Sequence, residues 1–325
     1  MTKTSSSRRS ADDRLFRLGT GFSAFLVVLL VAGIAYELFR DSRLSIAKFG
    51  FHFWRTTTWD PVAGQFGALP FIWGTLYSSF LALLISTPIA LGIAIFLSEL
   101  APRALRTPLA FLTELLAAIP SIVYGLWGIF VLVPMVRQLE VHTPDWLKKI
   151  PLFSGPPLGV GMLSAGLILA VMVIPFTSSV AREVLKAVPA TQREAAYALG
   201  ATRWEAIQAA LRFGRTGIMG AIILGLGRAI GETMAVTMVI GNNPKISPSL
   251  FAAQHTMSAV IANEFTEADT DLYLSALIEI GLVLFVITLI VNALSRFLIW
   301  SVSREIKAKA PKTAAVVSTR PEVAA

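Results

Sequence analysis

The chain has 325 residues, 55% of them hydrophobic and only 15% charged, with a formal net charge of +8 and no cysteine. That is too apolar for an ordinary soluble domain and suits an all-α protein that crosses a membrane several times. The missing cysteine excludes disulfides, thiol catalysis and Cys-ligated metals together. The positive charge is scattered along the chain, which argues against a nucleic-acid partner.

Residues 1–17 are polar and basic (Lys3, Arg8, Arg9, Arg14, Arg17) and read as a disordered start. Residues 18–39 form the first apolar run, long enough at ~1.5 Å per residue to cross a hydrocarbon core of ~30 Å. A cleaved signal peptide is the rival reading, but the run exceeds the usual ~7–15 residues of such a segment. Within the polar and aromatic stretch 40–70, Trp54 and Trp59 stand where interfacial anchors belong. Further apolar runs cover 71–97, 109–136, 161–180, 216–240 and 272–300, which makes six predicted transmembrane helices. Internal prolines at Pro88, Pro120 and Pro175 predict kinks that neighbouring helices can satisfy. The organisation expected is a basic N-terminus (1–17), a first span with its outer loop (18–70), a five-span core (71–300) and a loose basic tail (301–325).

Orientation follows from Lys and Arg. With the N-terminus inside, nineteen of them fall on the cytoplasmic side and eight on the other. Both termini and the loop 189–214 are therefore expected in the cytoplasm.

That loop, PATQREAAYALGATRWEAIQAALRFG, is polar although apolar runs flank it. Thr191 with Glu194, and Thr202 with Glu205, have the spacing of capping boxes. Gly200 and Gly214 can end helices in the left-handed conformation. The reading is two short helices joined at a glycine corner, the first presenting Ala195, Ala196, Ala198 and Leu199 as a docking surface. A DNA-binding helix-turn-helix is the rival reading, disfavoured because both ends are tethered to spans.

One basic residue remains, Arg228, in the middle of the fifth apolar run. A mid-bilayer arginine costs ~2.5–3.5 kcal/mol even on the lenient insertion scale, so it faces protein or a water-filled path. Glu232 follows four residues later, where the two side chains can meet on one helix. Two readings stand. Either the pair neutralises itself and locks the helices, or Arg228 offers its planar fork to an anion in transit. Ala221 and Gly225 share that stripe and leave room for a solute or for another backbone, and Gly227 and Gly231 on an adjacent stripe form a G-x-x-x-G suited to close helix packing. Glu114 and Glu279 also fall within apolar runs and are left without a role.

No G-x-x-x-x-G-K-[ST] is present to cradle ATP. The three histidines, His52, His142 and His255, lack metal-ligand spacing. Neither H-E-x-x-H nor G-x-S-x-G occurs. Catalysis by this chain alone is not expected.

Glu194-Ala195-Ala196, Gly200 and Ile207 resemble the cytoplasmic "EAA…G…I" loop of the permeases of binding-protein-dependent ABC importers. The proline that usually ends that motif is missing, since Leu211 is followed by Arg212. A narrower resemblance, to the phosphate-specific permeases of that family, rests on three segments. They are Glu114-Leu-Leu-Ala-Ala-Ile-Pro120-Ser121-Ile-Val-Tyr124-Gly125, Gly227-Arg228-Ala229-Ile230-Gly231-Glu232-Thr233, and Ile261-Ala-Asn-Glu264-Phe265. The resemblance implies a type I ABC-importer permease (MetI-like) bundle that moves inorganic phosphate from periplasm to cytoplasm by alternating access. It implies that Arg228, Glu232 and Ser121 line the substrate path, and that Glu194, Ala195, Ala196, Gly200 and Ile207 couple the loop to an ATPase. The partners implied are a sister permease, two ATP-binding subunits that hold ATP and Mg, and a periplasmic phosphate-binding protein. This chain itself is expected to bind no cofactor. Sulfate, molybdate or phosphonate are rival cargoes, an ion-coupled secondary transporter is a rival class, and a non-transporting scaffold is a third.

Overall fold

The computed structural model describes residues 5–309, and these are helical with no named strand; two isolated bridges, Asp60–Gln65 and Gly241–Gln254, are their only β contacts. Helix α1 (Ser5–Asp41) starts inside the basic stretch that composition reads as disordered. It is followed by the short α2 (Arg43–Phe49), by α3 (Leu69–Ile95), which ends in a π turn at Phe96–Leu100, and by α4 (Arg103–Ala118). Next come α5 (Ser121–Trp127), a second π turn, α6 (Val133–Val141) and the single turn α7 (Asp145–Lys148). Then α8 (Met162–Lys186), α9 (Ala190–Ala198) and α10 (Arg203–Ile230) follow, and α11 (Met234–Val239) and α12 (Met257–Glu264) lead to α13 (Asp271–Lys309). The expected loose tail is helical up to Lys309, and 310–325 lie outside the described residues.

Among the described residues six helical segments are long and apolar enough to cross a membrane: Phe16–Asp41, Leu69–Leu100, Ser121–Val141, Met162–Lys186, Arg203–Ile230 and Asp271–Trp300. The number agrees with the apolar runs, but two of the six are displaced. The run at 109–136 is broken at Ile119 and Pro120, both extended (ψ 130° and 140°). Proline disfavours the helical conformation in the residue before it, so α4 ends and α5 begins afresh. The run at 216–240 is broken at 231–233, because α10 ends at Ile230 and α11 starts at Met234. Hydropathy stays high across both breaks, so an apolar run alone does not reveal them.

The chain forms two compact units. One comprises the described residues up to Phe80 with Pro120–Leu169 and Ile230–Ile287; the other comprises Leu81–Ile119, Ala170–Ala229 and the described residues from Thr288 on. The first unit is centred on aromatic rings. Trp59 meets Phe66 and Phe71 edge-on, each at 4.9 Å between centroids, and Phe66 stacks on Tyr273 at 5.3 Å. Trp59 is thus part of a packed cluster rather than a free interfacial anchor. Its Nε1–H donates to Glu264 Oε2 at 2.8 Å, and the Tyr273 hydroxyl donates to the same oxygen at 2.5 Å. In the same unit α11 lies close on α5, since a Cβ at Gly125 would stand 2.6 Å from Met238 Sδ and one at Gly128 2.9 Å from Val239 Cγ1. The second unit is held by Ala94, Ala181, Leu185, Ile218 and Ala221, where α3, α8 and α10 meet.

His255 supplies a pH test of the first unit. It is 3% exposed, packs edge-on to Phe71 at 5.4 Å, and accepts the Thr256 backbone N–H at Nδ1. Burial lowers its pKa from 6.5 to about 4. The native state therefore keeps the ring neutral where the unfolded chain takes up a proton. Stability is complete above pH 6.5 and falls as the pH drops toward 4, by about 3 kcal/mol in all. Melting temperatures of the detergent-solubilised chain across this range should show the fall, and His255→Gln should remove that part of it.

Candidate functional site

Arg228 stands in the last turn of α10, and Glu232 lies beyond the end of that helix. The one-turn stacking expected for the pair requires a continuous helix, and α10 ends at Ile230, before Glu232. The Glu232 carboxylate instead accepts the Ala235 N–H at 3.3 Å, filling an open donor at the start of α11, while the Ser258 hydroxyl donates to the Glu232 carbonyl at 2.8 Å. Arg228 is half-buried and, among the described residues of its own unit, has no carboxylate within ion-pair distance. Its guanidinium lies 5.9 Å from the centre of the Phe176 ring, and its buried Nε–H has no acceptor among the described residues. Ser121 is half-buried in the first turn of α5. Ser121 and Glu232 belong to the first unit and Arg228 to the second, so no single unit brings the three together.

Of the two readings of the Ala221–Gly225 stripe, a solute or another backbone, the structure shows the second. Ala221 is fully buried, and a Cβ on Gly225 would stand 2.5 Å from Thr177 Oγ1 and 2.9 Å from Val173 Cγ1 of α8. A Cβ on Gly217 would likewise meet Val184 Cγ1 at 2.7 Å. This is therefore the packing face of α10. Gly227, assigned to packing by its G-x-x-x-G spacing, has open space around it. The spacing identifies a stripe but not which stripe meets a neighbour.

The loop 189–214 keeps its glycine corner and changes its helices. Helix α9 starts at Ala190 with Pro189 as its cap, so Thr191 is already inside the helix and the first capping box is not made. At the other end Gly200 has φ +80°, Gly200 N–H donates to the Tyr197 carbonyl at 2.9 Å and Ala201 N–H to the Ala196 carbonyl at 3.1 Å. That is the paired bonding of a Schellman motif. The second capping box does form, with Thr202 N–H donating to Glu205 Oε2 at 2.7 Å and Glu205 N–H to Thr202 Oγ1 at 3.4 Å. The helix it starts does not stop at Gly214 but continues as α10 to Ile230, with Gly214 close to Val184.

On this loop Glu194 and Ala195 are exposed and Ala196 is half-buried. Leu199 is 90% exposed, and Tyr197 and Trp204 are each at least half exposed, so a polar loop offers an apolar surface. Ile207 is 4% exposed. It anchors the start of α10 in the second unit and offers no surface to a partner.

Arg193 and Glu99 escape sequence reading. Arg193 Nη2 donates to Glu99 Oε1 at 2.6 Å and Nε to Glu99 Oε2 at 3.2 Å, a bidentate clamp from α9 to the end of α3. The same guanidinium donates to the Leu185 and Val188 carbonyls, each at 2.9 Å, and Arg203 Nη2 donates to the Glu99 carbonyl at 2.8 Å. Arg193 lies beside the EAA triplet, but its partner stands 94 residues away, and no local spacing signals that pairing.

Residues 86–304 match the family described as "Binding-protein-dependent transport system inner membrane component". The chain belongs to this family. The permease is 47% identical to the "Phosphate transport system permease protein PstC" of Mesorhizobium japonicum, over 90% of its own length and 91% of that protein. It is 48% identical to the protein of the same name from Pasteurella multocida, over 90% and 92% of the two chains. A "Probable phosphate transport system permease protein PstC" of Methanocaldococcus jannaschii is 37% identical over 88% and 92%. Among solved structures, inward-facing "MetNI methionine ABC transporter" superposes with a TM-score of 0.54 at 17% identity, covering 71% of this chain and 94% of that one. The permease therefore has the ABC-importer permease fold and is a multi-pass inner-membrane protein, one component of a larger transport system.

The clamp is open to a double-mutant cycle. Glu99→Gln or Arg193→Gln alone removes a charge-assisted, largely desolvated pair and should cost roughly 1.5–3 kcal/mol of thermal stability in the purified permease. The double substitution should cost less than the two added together, since each single change leaves its partner unmatched.

Proposed function

We propose that this permease moves inorganic phosphate from periplasm to cytoplasm, by alternating access around Arg228. The observation that carries the reading is the half-buried Arg228 guanidinium, with a desolvated Nε–H and no acceptor. An unmatched donor of this kind is strongly disfavoured, and a tetrahedral oxyanion in transit supplies the acceptor. The relatives' names direct the choice of oxyanion to phosphate over sulfate, molybdate or phosphonate. Glu232, held at the start of α11, leaves the arginine available. Ser121 at the start of α5 is proposed to add a hydroxyl to the path when the transporter assembles.

Energy enters through the loop. Tyr197 and Ala195 on α9, with Leu199 just past its end, form the surface that seats in a separate ATPase, with Glu194 and Ala196 beside them and Gly200 and Ile207 shaping the support. Two such ATP-binding subunits, holding ATP and Mg, a sister permease and a periplasmic phosphate-binding protein complete the importer. Both termini lie in the cytoplasm, on the side richer in Lys and Arg. The bidentate Arg193–Glu99 clamp gives movement of α9 a rigid connection to α3.

Two measurements test this. In proteoliposomes holding the assembled importer, Arg228→Gln should lower ATP-dependent uptake of labelled phosphate by at least about tenfold, the worth of one charged hydrogen bond, with the ATPase still bound. Uptake at the original rate would remove Arg228 from the path, and uptake that collapses with a protonophore while ATP stays high would favour ion coupling. Separately, Leu199→Glu should weaken co-purification of the ATPase while leaving the permease's melting temperature unchanged, since that side chain is 90% exposed.

A further inference from the structure

A second concentration of positive charge lies away from Arg228, in the second unit, where α4 passes the end of α8. A cavity of about 330 Å³ there is lined by Arg106, Thr107, Phe111, Glu114, Arg182 and Lys186, with Ala110 at its wall. Three cations and one carboxylate thus line it, and a second carboxylate, Glu183, contacts Arg182 and Lys186. Arg182 carries the chemistry, because its side chain is only 6% exposed. Its two acidic contacts, Glu114 Oε1 at 2.7 Å and Glu183 Oε1 at 3.0 Å, both fall on Nη2, and the buried Nε–H has no acceptor. Arg106, from α4, repeats the pattern in the same cavity. Its Nη2 makes a long bond of 3.4 Å to the Ala101 carbonyl, and its buried Nε–H is also unmatched. Glu183 is shared with Lys186, whose Nζ lies 3.0 Å from the same oxygen. Among the described residues the two buried guanidinium N–H donors therefore stay unmatched, while the half-exposed Lys186 adds a third positive charge.

We propose that this cavity binds a phosphate group, held between Arg106, Arg182 and Lys186. Buried guanidinium N–H groups are expensive to leave unmade and are matched by tetrahedral oxyanions with several acceptor oxygens. A volume near the low end of the ~300–1,000 Å³ usual for ligand sites fits a single phosphate better than a nucleotide. The source is either free inorganic phosphate or the headgroup of an anionic phospholipid, for which the exposed ring of Phe111 would adjoin the acyl region. Occupancy has a consequence in either case. It joins α4 to the last turns of α8, whose Leu185 carbonyl also receives Arg193 of α9. A bound phosphate group would stiffen the base on which the coupling surface rests.

The site is separate from the proposed path through Arg228, and its test is built to fail separately. The full-length permease is purified in detergent and its binding of labelled inorganic phosphate is measured by equilibrium dialysis. Binding of phosphatidylglycerol against phosphatidylcholine is measured by native mass spectrometry. Lys186→Gln and Arg106→Gln, changed near or at the solvent-facing rim, should each weaken binding by about tenfold, while Arg228→Gln leaves the Lys186-dependent component intact. Loss of phosphate binding without loss of lipid binding assigns the site to the free ion. Loss of phosphatidylglycerol binding that phosphate does not compete for assigns it to the headgroup. If both variants melt like the parent and bind both probes as the parent does, or if the parent binds neither, the proposal is overturned.

Discussion

The arrangement of the second unit depends on how closely α10 can approach α8. Gly217 and Gly225 present no side chain where Val184, Thr177 and Val173 press in, and Ala221 is fully buried between them. Any larger residue would force the helices apart, and contact distance decides helix association where lipid removes most of the hydrophobic drive. Two functional features rest on that contact. It holds the end of α10, and hence Arg228, beside Phe176 of α8. It also holds the beginning of α10 near the end of α8, so that the short α9 is supported from both sides by the same pair of helices.

Much of this was legible in the residues. Six apolar runs yield six helices of membrane-spanning length, and the corner at Gly200 and the cap at Thr202 form as their chemistry requires. What was not legible depends on three-dimensional neighbours or on breaks inside apolar sequence. Ile119 and Pro120 interrupt one run and 231–233 another, although hydropathy does not fall at either place. The Thr191–Glu194 spacing is as good as that of Thr202 and Glu205, yet Pro189 starts the helix earlier and leaves Thr191 inside it. A stripe of small residues shows that something comes close but not what. Ala221 and Gly225 leave room for a solute or for another backbone, and it is a helix, α8, that lies there.

The break after Ile230 alters the electrostatic argument as well as the geometry. On a continuous helix Arg228 and Glu232 would neutralise each other, which favours a locked structural pair. With the helix ended, the carboxylate finds a better use at α11, whose first amides have no intrahelical partner, and accepts one of them. The arginine is left with an aromatic face, which attracts a cation without consuming its hydrogen-bond donors. A guanidinium in that condition retains the fork that the proposed passage of an anion requires, and the weak aromatic contact does not compete strongly for it.

The basic residues of 181–215 first appear only as a statement about which side of the membrane they occupy. In the structure several have specific partners. Arg193 holds Glu99, Arg203 takes the Glu99 carbonyl and Arg182 holds Glu114 and Glu183. The pairing is unequal, and the inequality has physical meaning. Arg193 has every side-chain nitrogen engaged, twice by a carboxylate and twice by carbonyls, as suits a rigid link between a loop and a span. Arg182 is more deeply buried yet only partly matched, although desolvation makes an unmatched donor there more costly. A side chain placed for rigidity alone would be satisfied as Arg193 is; one left incomplete beside two other cations is arranged for an acceptor that the chain itself does not supply.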